Sequence, residues 1–137
     1  MSFSYIQNFQ MNIYRLLADD VEIKQKIDKI YLSAVQDAKY PFLLINIVKV
    51  ENKTLFSRGI YEVDFEISVF ARDKSQLILI KLADLIIIRL DIKFFITENY
   101  IIAGLKAAQI DFQKSQDLVT TKLLIPYKAL IKDVVIF

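Results

Sequence analysis

The sequence predicts an α+β protein, a two-layer sandwich in which two main helices pack on one face of a largely antiparallel sheet of about four to five strands. Apolar residues near the start of the chain recur at steps of three and four, which is typical of a helix with one buried face. A stretch in the middle alternates apolar and polar residues, which is typical of a half-buried strand. A later stretch is apolar nearly all round and predicts a helix that is covered on more than one side.

The first helix is predicted from Ser4 to about Asp20. The residues of its apolar face are Ile6, Phe9, Ile13, Leu16 and Leu17. The segment from Val21 to Ile30 is short and charged, and we interpret it as a helical turn or connector. Phe42 to Val50 is dense in Leu, Ile and Val and predicts a strand that is buried on most of both faces.

The polar segment from Glu51 to Arg58 separates that strand from a longer one, predicted from Ile60 to Ala71. Apolar side chains lie on one side of the second strand and mainly acidic ones on the other, so the two strands are expected to pair as a hairpin. The second main helix is predicted from about Lys74 to Leu90.

The last third of the chain predicts further strands. Lys93 to Glu98 is interpreted as a linker or a short strand. Tyr100 to Phe112 is predicted to bend at Gly104. Leu118 to Leu130 contains Pro126, which favours an edge strand or a bulge. We expect residues 1–137 to form a single domain, because domains of this length are common and leave no room for a second core.

Composition excludes several classes of protein. The 137 residues contain no His and no Cys, which excludes Ser-His-Asp and Cys-His catalysis, disulfide frameworks and the usual zinc sites. The formal net charge of +2 is too small to drive nucleic-acid binding by itself. Apolar types make up 55% of the residues, and the mean hydropathy is +0.36, which favours an oligomer. We expect no cofactor and no bound metal.

The chain shows no targeting or membrane signal. Its first residues lack the basic and continuous apolar regions of a secretory signal. Leu77 to Leu90 is the most apolar stretch, but it is shorter than the roughly 20 residues that span a bilayer and contains Lys81, Asp84 and Arg89. We therefore expect a cytoplasmic protein without a membrane partner.

Several segments, taken in order, resemble the tail terminator or tail completion proteins of long-tailed phages, prophages and gene transfer agents, the family related to the lambda minor tail protein U. The segments are Lys29-Ile30-Tyr31, Tyr40-Pro41-Phe42-Leu43-Leu44-Ile45, Arg58-Gly59-Ile60-Tyr61, and Val63 through Ala71-Arg72-Asp73. The resemblance extends from about residue 10 to 130. The sequence departs from the family at Ile86-Ile87-Ile88 and Asp91-Ile92-Lys93, where the family usually has more Ala and Gly.

The resemblance implies a non-enzymatic structural protein. Such a subunit forms a ring, typically a hexamer, that caps the head-proximal end of a tail tube, ends tail polymerisation and joins the tail to the head connector. Its implied partners are further copies of itself, the tail tube protein and the head–tail connector protein, with DNA only as passing cargo. The implied location is the host cytoplasm during assembly and then the head-proximal end of the virion tail.

Two other functions remain open at this level. The surplus of Ile, Leu and Phe is also compatible with a small carrier of apolar ligands, with a cavity between sheet and helices. The carboxylates of Glu62, Asp64 and Glu66 lie about 7 Å apart along one strand face, a spacing that paired catalytic carboxylates or a cation site could use. A solvated strand face explains the same pattern. If the ring exists, this acidic row is a candidate for its channel face.

Three apolar segments are candidate contacts. Leu55, Phe56 and Arg58 lie in the polar segment at the hairpin tip, where a partner could be met or where the loop could fold back on its own core. Ile86 and Ile87 in the second helix are candidate subunit-interface residues. Val135 and Phe137 end the chain, either in a last strand of its own sheet or as an arm added to a neighbour's sheet.

Overall fold

The computed structural model describes residues 4–54, 59–72, 76–91, 95–97 and 100–133. The helices of this part of the chain are α1 (Ser4–Ala18), α2 (Val21–Lys26) and α3 (Gln76–Arg89). The strands are β1 (Lys29–Tyr31), β2 (Phe42–Asn52), β3 (Ile60–Arg72), β4 (Phe95–Ile96), β5 (Tyr100–Ala107), β6 (Asp111–Lys114) and β7 (Thr120–Asp133).

The strands form one mixed sheet of seven strands, in the order β1-β2-β3-β7-β5-β4, with β6 paired to β7 as well. β1 is parallel to β2, and the other pairs are antiparallel. The sheet curls into a half-barrel. The predicted two-layer sandwich of four to five strands is therefore wrong in strand number and in shape.

The curvature of the sheet follows from the length of its strands and from two irregularities. Strands of 11, 13 and 14 residues accumulate the right-handed twist of every β-strand over a long distance. The pairing register shifts between Ile47 and Lys49 on β2, and again between Ile102 and Gly104 on β5. Each shift inserts an extra residue that bends its strand, as the sequence indicated at Gly104.

β7 is the strand on which the sequence prediction fails most. It lies in the interior of the sheet, with β3 on one side and β5 and β6 on the other, and its register against β3 is continuous through Pro126. The predicted edge strand or bulge is wrong. Pro126 has no backbone N–H to donate to a neighbouring strand. It is tolerated because, on the side of β7 away from β3, it lies between the segment paired to β6 and the segment paired to β5. The single predicted strand from Tyr100 to Phe112 is divided there into β5 and β6.

β1 was missed because three residues contain too little periodicity to predict a strand. The short helix that precedes it does match the predicted helical turn. Asp20 caps α2, with its carboxylate accepting a hydrogen bond from the Ile23 backbone N–H at 3.1 Å. The predicted hairpin is confirmed. It is formed by β2 and β3, with Phe42 opposite Phe70 and Ile45 opposite Ile67.

The core lies between the helices and the inner face of the sheet. The inner residues of β3 are buried at every second position from Tyr61 to Ala71, which confirms the alternation seen in the sequence. Phe9, Ile13 and Leu17 of α1 are fully buried against them. The core also holds Tyr100, whose hydroxyl oxygen accepts a hydrogen bond from the Asn12 side-chain amide at 2.5 Å, and burial raises the pKa of this phenol.

Candidate functional surfaces

The acidic row of Glu62, Asp64 and Glu66 lies on the outer face of the sheet, as the alternation of β3 requires, and all three side chains are half-buried. Lys128 of β7 and Lys53, which directly follows β2, lie beside it. Lys128 Nζ lies 3.0 Å from Glu62 Oε1 and 3.8 Å from Asp64 Oδ1, and Lys53 Nζ lies 3.6 Å from Glu62 Oε2. The row is thus part of a mixed-charge surface.

The ion pairs of this surface favour the charged forms of their members. The hydrogen bond from Lys128, opposed in part by desolvation, lowers the pKa of Glu62 below its usual range, and the same bond raises the pKa of Lys128. Glu51 accepts from both Lys49 and Lys53, so its pKa is lowered as well. Glu66 has Asn46 and Pro126 as cross-strand neighbours. Among the described residues, no group of three potential ligands could hold a metal ion.

The two faces of α3 differ in a way that the sequence did not reveal. Ile86 is fully buried in the core of its own chain, and Ile87 is half-buried against it. Large apolar side chains instead reach solvent from the opposite face, with exposed fractions of 61% for Leu77, 41% for Ile80 and 72% for Ile88. Because most of the helix is apolar, the sequence offered only a weak contrast, namely Lys81 and Asp84 on the face that is exposed.

Some candidate contacts lie outside the described residues. These are Leu55, Phe56 and Arg58 at the hairpin tip, and Val135 and Phe137 at the end of the chain.

An apolar hairpin tip between β6 and β7 was missed. Leu118 is 70% exposed and has a φ of 62°, an uncommon conformation for a residue with a branched side chain, and Val119 is 46% exposed. Asp117 organises the turn, because its carboxylate accepts hydrogen bonds from the backbone N–H groups of Val119 and Thr120 and from the Ser115 and Thr120 hydroxyls. These bonds lower the pKa of Asp117. The Ser-Gln-Asp cluster was the available signal for a turn.

An aromatic cluster covers the other end of the outer sheet face. Phe42 stacks on Phe70 with ring centroids 4.8 Å apart, and Tyr40 packs against Phe42 at 5.3 Å. The Arg72 guanidinium lies 4.5 Å from the centre of the Tyr40 ring, and Lys122 lies over Phe70 at 5.7 Å. Cations over aromatic faces stabilise this cluster electrostatically.

An open groove is lined by residues of β3, β5 and β7. It has a volume of about 430 Å³ and is lined by Glu62, Gly104, Lys106, Lys128 and Leu130, among others. A Cβ atom at Gly104 would meet no heavy atom within 4 Å, so the absent side chain contributes to the open space. No helix in the described part of the chain is both long and apolar enough to cross a membrane.

Comparison with known proteins gives structural matches only. No family model and no curated protein matches the chain. A chain in the structure of the virion of a native gene transfer agent particle is similar, with a TM-score of 0.74 and 12% sequence identity over 90% of this chain and 93% of that one. The bacteriophage SPP1 gp17 protein is similar with a TM-score of 0.59 and 17% identity, over 90% and 88% of the two chains. At these identities the likeness shows a shared fold.

Proposed function

We propose that this chain is a structural subunit of a phage-like virion. The observation that carries the proposal is the fold shared with a chain of the gene transfer agent particle, which extends over 90% of this chain and 93% of that one. Agreement over nearly the whole of both chains favours an equivalent subunit over a shared local motif. The likeness to the phage SPP1 protein supports the same class.

Within that class, we propose that the chain is a tail terminator. Copies of it form a ring, typically a hexamer, on the head-proximal end of a finished tail tube. One face of the ring matches the last ring of tube subunits, and the opposite face lacks the surface that another tube subunit would recognise, so growth stops. The same opposite face then receives the head connector. This mechanism depends on shape and requires no chemical step.

The exposed apolar surfaces of the chain support a role in assembly. α3 and the tip formed by Leu118 and Val119 present large aliphatic side chains to solvent at separate places on the molecule. Exposed apolar side chains grouped in this way are typical of surfaces that a partner covers. A ring subunit needs several such surfaces, since it contacts two neighbours, the tube and the connector.

The acidic row is proposed to border the channel through which DNA passes. Lys53 and Lys128 offset part of the charge of Glu62, and Lys128 also lies 3.8 Å from Asp64, so the row would repel passing DNA only weakly. Glu66 forms no ion pair within the described residues. A ring in this position would assemble in the host cytoplasm and remain at the head-proximal end of the tail.

The experiment is to polymerise a candidate tail tube protein from the same source genome, with and without the purified chain, and to image the tubes by negative stain. We expect the chain to shorten the tubes and to add a terminal ring at one end. Tubes of equal length without terminal density would overturn the terminator function and leave the coarser virion class to be tested by mass spectrometry of purified particles.

A paired set of loop variants then locates the contact with the tube. Replacing Leu55 and Phe56 by Ser is expected to abolish capping while the protein stays folded, because the hairpin tip is the predicted partner contact. Replacing Leu118 and Val119 by Ser makes the same kind of apolar-to-polar change at the second tip, so the two double variants show which tip contacts the tube. Loss of capping only in the Leu118, Val119 variant would assign the contact to the second tip and contradict the prediction for Leu55 and Phe56.

The carrier hypothesis receives no comparable support. The residues between the helices and the inner sheet face pack as one contiguous core, and many of their side chains are fully buried. The grooves lined by described residues lie at the surface of the chain.

A further inference from the structure

The exposed face of α3 is an apolar surface with a charged centre. Leu77, Ile80 and Ile88 are 61%, 41% and 72% exposed, and Lys81 and Asp84 lie between them on the same side of the helix. Among the described residues, neither Lys81 nor Asp84 takes part in an ion pair. The opposite side of the helix faces the core. A face of this kind is typical of a protein–protein contact.

We propose that this face binds the same face of a second copy, with the two α3 helices antiparallel across a two-fold axis. In this arrangement Leu77 lies opposite Ile88 of the second copy, and Lys81 lies opposite Asp84 of the second copy. Ile80 lies opposite Leu85. Each contact occurs twice, as a two-fold interface requires. The helix pair places two ion pairs at its centre and aliphatic side chains at both ends.

The charges of Lys81 and Asp84 favour this arrangement over other orientations and registers of the two helices. A parallel pair would place Lys81 opposite Lys81 and Asp84 opposite Asp84. An antiparallel pair shifted by three residues would again place Asp84 opposite Asp84. Like charges at close range repel, and opposite charges attract, so the register that pairs Lys81 with Asp84 is favoured electrostatically.

The two-fold contact goes beyond the proposed ring and does not depend on it. A two-fold interface is self-complementary, so it joins two subunits, or two rings face to face, and cannot by itself generate a ring. It covers the apolar face of α3 when no other partner is present. Because one helix pair is a small interface, we expect a dimer that dissociates on dilution.

A charge exchange within the full chain tests the proposal. Lys81→Glu alone places Glu opposite Asp84, and Asp84→Lys alone places Lys opposite Lys81, so each is expected to raise the dimer Kd at least about tenfold in sedimentation equilibrium. The double variant restores opposite charges at both sites and is expected to recover the wild-type Kd. A wild-type chain that stays monomeric, or a double variant that dimerises no better than the singles, would overturn the proposal.

Cross-linking tests the antiparallel direction independently. The chain contains no Cys, so Leu77→Cys and Ile88→Cys introduce the sole thiols, at exposed positions where the core is not disturbed. Under oxidation a mixture of the two variants should form a disulfide-linked dimer. Each variant alone should not, because its own thiols lie about 16 Å apart along the helix axis. Cross-linking of either variant with itself, or none in the mixture, would contradict the arrangement.

Discussion

Asp117 illustrates how one carboxylate can determine the conformation of a surface loop. It accepts hydrogen bonds from two backbone N–H groups, at 3.0 Å from Val119 and 2.9 Å from Thr120. The Thr120 hydroxyl donates a third at 2.8 Å, and Ser115 donates a fourth. Together they hold Leu118 at a positive φ and direct its side chain to solvent. The hydrogen bonds of Asp117 therefore fix the backbone conformation of the exposed Leu118–Val119 tip.

The first prediction concerns the pH dependence of this loop. The hydrogen bonds lower the pKa of Asp117 below its ordinary value of 3.8, so the carboxylate stabilises the folded state above about pH 4 and loses that effect as the pH falls toward its folded pKa. Asp117→Asn should therefore lower the free energy of unfolding in urea at pH 7 and make a smaller difference near pH 3. An equal difference at both pH values would contradict this account.

The elements of the fold differ in how clearly their sequences define a buried face. α1 has a narrow apolar stripe, and the predicted face is the one that packs, with Phe9, Ile13 and Leu17 fully buried. α3 has large apolar side chains on both sides, with Lys81 and Asp84 on the exposed one, so its orientation depends mainly on which side the sheet and α1 cover. Arg89 contributes to that orientation, because its Nε–H donates to the Leu16 backbone carbonyl at 2.8 Å.

The second prediction compares neighbouring isoleucines of α3. Ile86→Ala removes a fully buried side chain and should lower the free energy of unfolding by about 2–5 kcal/mol, because it leaves a cavity in the core. Ile88 is 72% exposed, and Ile88→Ala should change it by roughly 0.5 kcal/mol or less. Urea denaturation at a concentration where the chain is monomeric measures both. Similar decreases in the free energy of unfolding for the two variants would mean that Ile86 is not a core residue of the isolated chain.

At the scale of the whole molecule, the formal net charge is small, and part of the charge on the outer sheet face is paired. The outer sheet face carries Lys49, Lys53 and Lys128 against Glu51, Glu62 and Asp64, and the formal net charge of the chain is only +2. The lysines of these pairs are therefore partly compensated by neighbouring carboxylates and are less available to a phosphate backbone.

The third prediction follows from this charge distribution. The chain should bind duplex DNA no more tightly than a Kd of about 100 μM at physiological salt, because its formal net charge is only +2 and Lys49, Lys53 and Lys128 each pair with a carboxylate. Fluorescence anisotropy with a labelled duplex measures this, and a strongly basic DNA-binding domain is the positive control. Micromolar binding that weakens steeply with salt would show a phosphate-binding surface that the charge pattern does not predict.

The local sequence pattern was sufficient to predict side-chain direction in helices and strands that have one apolar and one polar side. The alternation of β3 correctly placed Glu62, Asp64 and Glu66 outside and their neighbours inside, because successive side chains of any strand point to opposite faces. The lack of His and Cys excluded whole classes of chemistry from the sequence alone. These conclusions need no knowledge of which elements meet.

The tertiary structure decided everything that depends on which segments meet. It set the parallel pairing of β1, the interior place of β7 with Pro126 at the junction between β5 and β6, and the lysines that lie beside Glu62 and Asp64. It also decided that Ile86 is buried and Ile88 exposed. The physical reason is that sequence periodicity gives the direction of each side chain only within its own helix or strand. Strand order, and the covered side of a helix with apolar residues on both sides, arise from long-range contacts that local periodicity does not contain.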